Sequence, residues 1–185
     1  MLFDEFDPNN YLVNYTENGK FHFIEGPDVQ IPKFNCTWGV SKAQYEGSSP
    51  RYYIDLEIHR GERADKFLEW IVRLEEHIKE FVKKNEVMIF EKEGVDVEGM
   101  FKGLVNENKF RIKVDRETVA KQKGKKEIVN VLEEGSMKNC SIVCILRVKM
   151  LYFMNGSFGI SLTSPQLEFE ERESVKKKIL FLNHY

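Results

Sequence analysis

Between Lys109 and Lys126 the chain carries eight Lys/Arg against two Asp/Glu, a local charge of +6 in a protein of formal net charge −2. Residues 1–108 carry 13 against 21 and residues 127–185 carry 7 against 7, so the basic excess is confined to this segment. Lys109, Arg111 and Lys113 alternate with Phe110, Ile112 and Val114. Side chains alternate across a strand, so the three cations share one face. Arg116 follows, and Lys121, Lys123, Lys125 and Lys126 surround Gln122 and Gly124 in what reads as a mobile basic loop. A second row holds Arg147 and Lys149, alternating with Leu146, Val148 and Met150, and continues outward to Leu151 and Phe153. Cations neutralise phosphates, and exposed rings stack on bases at about 1–3 kcal/mol each. This composition therefore points to nucleic acid. Two plainer readings stay open: a solvated lysine loop, and cations that protect strand edges from aggregation. Tyr53 adds a ring, as does Trp38 in Thr37-Trp38-Gly39, although a core position is open to Trp38 as well.

Other chemistries find less support. Asp55, Glu57 and His59 alternate onto one strand face and could hold a divalent metal for phosphodiester cleavage. Groups two apart on a strand sit about 6.6 Å from one another, so such a site needs ligands from elsewhere. Cys140 and Cys144, about 13 Å apart on one strand, cannot share a metal or a disulfide, and Cys36 stands alone in the sequence. Reduced core thiols are the expectation. Gly124-Lys125 lacks the glycine spacing of a phosphate-binding loop, and neither G-x-S-x-G nor H-E-x-x-H occurs. His22, His77 and His184 stand isolated. With no nucleophile beside a base, we expect neither catalysis nor a cofactor.

The elements that must position these residues are mostly strands. Tyr11–Tyr15 and Lys20–Ile24 flank Asn18-Gly19, a hairpin signal. Arg51–His59 sets Tyr52, Ile54, Leu56 and Ile58 against Tyr53, Asp55, Glu57 and His59. The period then changes. Phe67, Ile71, Leu74, Ile78 and Phe81 predict one long amphipathic helix over 65–84. Strands are expected at Glu86–Glu91, Gly99–Val105 and Lys109–Val114, the last entered through Asn106-Glu107-Asn108. A long strand at Ser141–Phe153 turns at Met154-Asn155-Gly156-Ser157 into Phe158–Leu162, with a final strand at Gln166–Glu170. A length of 185 residues with 42% hydrophobic and 31% charged residues fits one folded domain. No window approaches a membrane span, and the acidic start at Asp4, Glu5 and Asp7 is unlike a signal peptide. We expect an intracellular protein.

Several local patterns together resemble the OB-fold single-stranded-DNA-binding proteins of nucleocytoplasmic large DNA viruses, and more distantly those of tailed bacteriophages. They are Ser49-Pro50-Arg51-Tyr52-Tyr53-Ile54-Asp55-Leu56 leading into Phe67-Leu68-Glu69-Trp70-Ile71, then Phe110-Arg111-Ile112-Lys113-Val114, Leu132-Glu133-Glu134-Gly135-Ser136, and Met150 to Ile160. The resemblance covers roughly residues 34 to 170 and lies in order and spacing. It implies a mainly β protein, a Greek-key β-barrel of OB-fold type with one long helix between strands, gripping a single strand without sequence preference. By position, the binding face would include Tyr53, Lys109, Arg111, Lys113, Arg147, Lys149 and Phe153, with Lys121–Lys126 as a flap. The expected domain is 1–173 with an N-terminal hairpin extension, followed by an arm at 174–185.

That arm departs from the resemblance. Glu168, Glu170, Glu171 and Glu173 are followed by Lys176–Lys178 and Ile179-Leu180-Phe181-Leu182, where several phage relatives have a long acidic tail. An apolar end suits docking, in cis or on a second subunit, so self-association through Ser174–Tyr185 is one expectation. The expected ligand is single-stranded DNA, with RNA as the alternative, in viral replication or recombination in the host cytoplasm or nucleus. A structural or scaffolding role in a virion, built on the barrel and apolar C-terminus, is the competing expectation; a metal-dependent nuclease is the third.

Overall fold

The computed structural model describes residues 1–14, 21–44 and 46–172. Strands dominate: β1 (Leu12–Asn14), β2 (Phe21–Glu25), β3 (Val29–Gln30), β4 (Phe34–Cys36), β5 (Val40–Ala43) and β6 (Arg51–Glu57) precede the helices. The helices α1 (Glu62–Lys84), α2 (Glu86–Phe90) and α3 (Val97–Met100) follow. The chain ends in β7 (Phe101–Lys102), β8 (Val105–Asn106), β9 (Lys109–Val114), β10 (Val119–Gln122), β11 (Ile128–Val129), β12 (Cys140–Met154) and β13 (Ser157–Glu171). No helix among the described residues is long and apolar enough to cross a membrane.

Strand pairing closes on itself. β12 pairs with β4, β4 with β6, β6 with β9, β9 with β13, and β13 returns to β12. In this ring only the β9–β13 contact is parallel. One set of alternating side chains fills the interior, among them Ile54 and Leu56, Phe110, Ile112 and Val114, and Ile142, Cys144 and Leu146. The other set faces out, and it includes every cation of β9.

Helix α1 is set by the 3.6-residue apolar period and begins three residues before the sequence expectation. Ala64, Phe67, Trp70, Ile71, Leu74, Ile78 and Val82 are buried. Glu62 and Asp65 in its first turn and Lys83 and Lys84 in its last complement the helix dipole. The N-terminal segment fastens it: Trp70 Nε1 donates to the Phe6 carbonyl at 2.9 Å, His77 Nε2 lies 2.8 Å from the Tyr11 carbonyl oxygen, and Arg73 pairs with Asp7 at 2.6 Å.

Several expectations are corrected. Glu86–Glu91 is the short helix α2, which follows α1 after a break at Asn85, whose amide bonds the Phe81 carbonyl. A five-residue apolar run carries no period that separates strand from helix. Gly99–Val105 divides between the end of α3 and the two-residue strands β7 and β8. Phe158–Leu162 and Gln166–Glu170 are one continuous strand, β13, paired along β12. The turn from β12 into β13 has Asn155 and Gly156 at φ 52° and 71°, a primed hairpin turn. β1 and β2 do pair antiparallel, while the turn expected at Asn18-Gly19 lies outside the described residues, as does the arm at 174–185. Cys36 is not isolated in space, since it lies directly opposite Cys140 across β4 and β12. All three thiols are buried and free, and burial pushes Cys36 up to about 11 and Cys144 up to about 12.

Candidate nucleic-acid interface

Directly opposed residues on neighbouring strands point to the same face. Ser41 stands opposite Tyr53, Tyr53 opposite Lys113, Lys113 opposite Thr163, and Thr163 opposite Arg147. The line of opposed residues therefore crosses β5, β6, β9, β13 and β12 and curves round the ring, about 19 Å of arc in four strand spacings, with Thr163 buried between Lys113 and Arg147. The two basic stretches, 34 residues apart from Lys113 to Arg147, meet on it. One step along the strands, Asp55 faces Arg111, and one step further Glu57 faces Lys109.

The cations on this surface are of two kinds. Arg111 Nε and Nη2 donate to the two Asp55 oxygens at 2.7 and 2.8 Å, and its guanidinium carbon lies 5.6 Å from the Tyr53 ring centroid. Arg147 is held likewise by Asp28, with Nε at 2.8 and Nη2 at 2.7 Å. Hydrogen bonding to these carboxylates pushes both guanidinium pKa values up, so both stay charged but compensated. Lys109, Lys113 and Lys149, in contrast, enter no ion pair among the described residues. Lys113 is the uncompensated charge at the centre of the row.

Two sequence expectations fail here for one reason. Lys149 is the extra residue of a β-bulge: Val148 pairs with Leu162, Met150 with Ser161, and nothing opposes Lys149. One inserted residue reverses the alternation beyond it. Leu151 is fully buried, and Phe153 turns inward, 5.5 Å from the His22 ring, 5.6 Å from Phe90 and 5.7 Å from Phe158. Phe153 is therefore a partly buried ring packed among aromatics, not part of the outward row.

The Lys121–Lys126 stretch is also not a flap on this row. Val119–Gln122 is strand β10, parallel to β13 and antiparallel to β11, and Lys125 N closes a turn onto the Gln122 carbonyl at 2.9 Å. Gln122 lies opposite Phe169 while Lys113 lies opposite Thr163, which separates them by about 20 Å along the strands. Lys123 pairs with Glu170 at 3.0 Å, and Glu170 also binds Lys33. Lys125, Lys126 and, in the turn before β10, Arg116 are exposed.

Trp38 is 64% exposed, and the register explains how. Asn35 pairs with Glu57 and Val40 with Ile54, so four residues, 36–39, stand against two, Asp55 and Leu56. The excess bulges out and presents the indole beside the strand that carries Asp55. Gly39 makes this bulge possible: its φ is +76°, and a Cβ there would meet the Gly135 and Ser136 carbonyl oxygens. Gly39→Ala is expected to lower stability by about 1–3 kcal/mol in denaturant unfolding, with a change in Trp38 fluorescence in the folded state. A melt superimposable on wild type would contradict that role.

The metal reading of Asp55, Glu57 and His59 gains no ligands. Asp55 is engaged by Arg111, His59 Nε2 lies 2.6 Å from Asn35 Nδ2, and no group of three or more His, Cys, Asp or Glu side chains among the described residues is placed to hold an ion.

No family model matches the chain, and no curated protein does. Solved structures do. The single-stranded DNA-binding protein from bacteriophage Enc34, in complex with ssDNA, superposes with a TM-score of 0.52 at 13% identity, covering 87% of this chain and 96% of that one. Gp2.5, a single-stranded DNA-binding protein encoded by bacteriophage T7, gives 0.50 at 16% identity, over 78% of this chain and 86% of that one. The similarity found is thus to the phage proteins rather than to those of large DNA viruses. At these identities it is a similarity of fold alone, between this mainly β chain with one long helix and the phage single-stranded-DNA-binding proteins.

Proposed function

We propose that this chain is an OB-fold single-stranded-DNA-binding protein that grips its ligand on the outer face of β6 and β9. Taking β4–β5, β6, β9–β10, β12 and β13 as ring strands one to five, their neighbours run 1-2-3-5-4-1 with only three and five parallel. That order supports a Greek-key barrel of OB type, whose second and third strands form the usual oligonucleotide face. Tyr53, Arg111 and Lys113 lie on those two strands. The observation that carries the proposal is the row from Ser41 to Arg147, where an uncompensated lysine on β9 stands directly beside Tyr53 on β6, with Arg147 two strands further on.

The phage neighbours' own ligand agrees with this reading, and a role in viral DNA replication or recombination follows as part of the proposal. The test is an anisotropy titration with an unstructured oligothymidylate. Binding is expected to weaken steeply between about 50 and 200 mM salt, since each neutralised phosphate contributes about −0.7 to the log–log slope for single strands. No binding at the lower salt would overturn the proposal and favour the scaffolding alternative.

A further inference from the structure

We propose that the exposed face of the Arg111 guanidinium is a seat for one nucleobase, with Asp55 and Tyr53 as the residues that position it. This rests on the single-stranded-DNA reading and assigns part of that surface to bases instead of phosphates. Arg111 projects from β9 and its side chain remains 62% exposed, although two of its nitrogens are committed to the Asp55 carboxylate. A fork-to-fork pair holds the guanidinium and carboxylate in one plane. The guanidinium carbon lies over the Tyr53 ring, 5.6 Å from its centroid. The result is a flat, immobilised π surface, more than half exposed and in contact with an aromatic ring.

Charge decides what such a surface can attract. A phosphate approaching here meets a pair of net charge zero, whereas Lys113, two residues along the same strand face, presents an unpaired ammonium. An unstacked base requires no net charge. It requires a plane, and guanidinium planes accept stacked bases as aromatic rings do. Fixing the plane in advance also removes the entropy that a free arginine would lose on stacking. The spacing fits a strand whose phosphate contacts Lys113 while the attached base turns toward Arg111.

The experiment compares oligothymidylate with an abasic oligonucleotide of the same length and backbone, for wild type, Arg111→Lys and Asp55→Asn. Arg111→Lys keeps the charge and loses the plane. It is expected to lower the ratio of thymidylate to abasic affinity by about five- to tenfold while leaving the salt slope unchanged. Asp55→Asn adds a net positive charge, so it tightens the abasic ligand, yet the same ratio is expected to fall because the guanidinium is no longer held. Equal ratios in all three proteins, or a salt slope altered by Arg111→Lys, would show a phosphate contact and overturn the inference. Failure of wild type to bind either oligonucleotide removes the function itself, a distinct result. Melting curves for both surface variants establish that the fold is retained.

Discussion

Phe67→Ala is expected to destabilise the protein by about 3–5 kcal/mol in denaturant unfolding. Phe67 is fully buried on α1, and its ring centroid lies 5.3 Å from Phe110, 5.5 Å from Phe34, 5.4 Å from Phe3 and 6.1 Å from Trp70. Those four rings belong to a helix, an N-terminal turn and two ring strands, β4 and β9. Each is fixed by its own neighbours, so the space left by the phenyl group cannot close without moving an element, and the cavity term adds to the lost transfer energy. Val72, on the same helix but half exposed, is the internal comparison; Val72→Ala should stay within about 0.5 kcal/mol. A loss below about 1 kcal/mol at Phe67 would mean that the helix is not anchored through this ring. Because Phe110 precedes Arg111, loss of the contact also loosens the strand that carries the proposed base seat.

What could be read from the sequence followed from periodicity. β6, β9 and the first half of β12 alternate cleanly, and α1 repeats every three to four residues, so the faces of those elements were legible, though not their partners. The first ring strand was not, because it is split into a three-residue and a four-residue piece around the bulge at Trp38, too short for any period to register. The bulge at Lys149 misled for the complementary reason: alternation was present, but one unpaired residue reversed its sense and sent Phe153 inward. Charge pairing was the least legible feature. Asp55 lies 56 positions from Arg111, and Asp28 lies 119 from Arg147, so a count of cations along the chain could not show that two arginines were already matched. Only the folded geometry separates compensated charges from free ones, and of Lys109, Lys113 and Lys149, the three without an ion pair among the described residues, it places Lys113 beside Tyr53.

Lys113→Glu is accordingly expected to weaken oligothymidylate binding by about tenfold to a hundredfold at low salt and to reduce the magnitude of the salt slope by roughly one phosphate's share. Lys113 lies between Tyr53 and Thr163, with Arg147 next in the row, and it has no carboxylate partner among the described residues. Arg111 and Arg147 bring their own counter-charges, so reversing Lys113 turns a positive centre into a negative one beside Asp55. The basic turn supplies the control. Lys125 carries the same charge and is more exposed, but it sits at the far end of β10, about 20 Å from the row. That distance exceeds the Debye length at physiological salt, about 8 Å. Lys125→Glu should therefore change affinity for a short oligonucleotide by less than about threefold. If the two reversals weakened binding equally, the ligand would be responding to total charge, and the face of β6 and β9 would lose its claim to be the contact surface. If only Lys125→Glu did so, the interface would have to be moved to the β10–β11 turn.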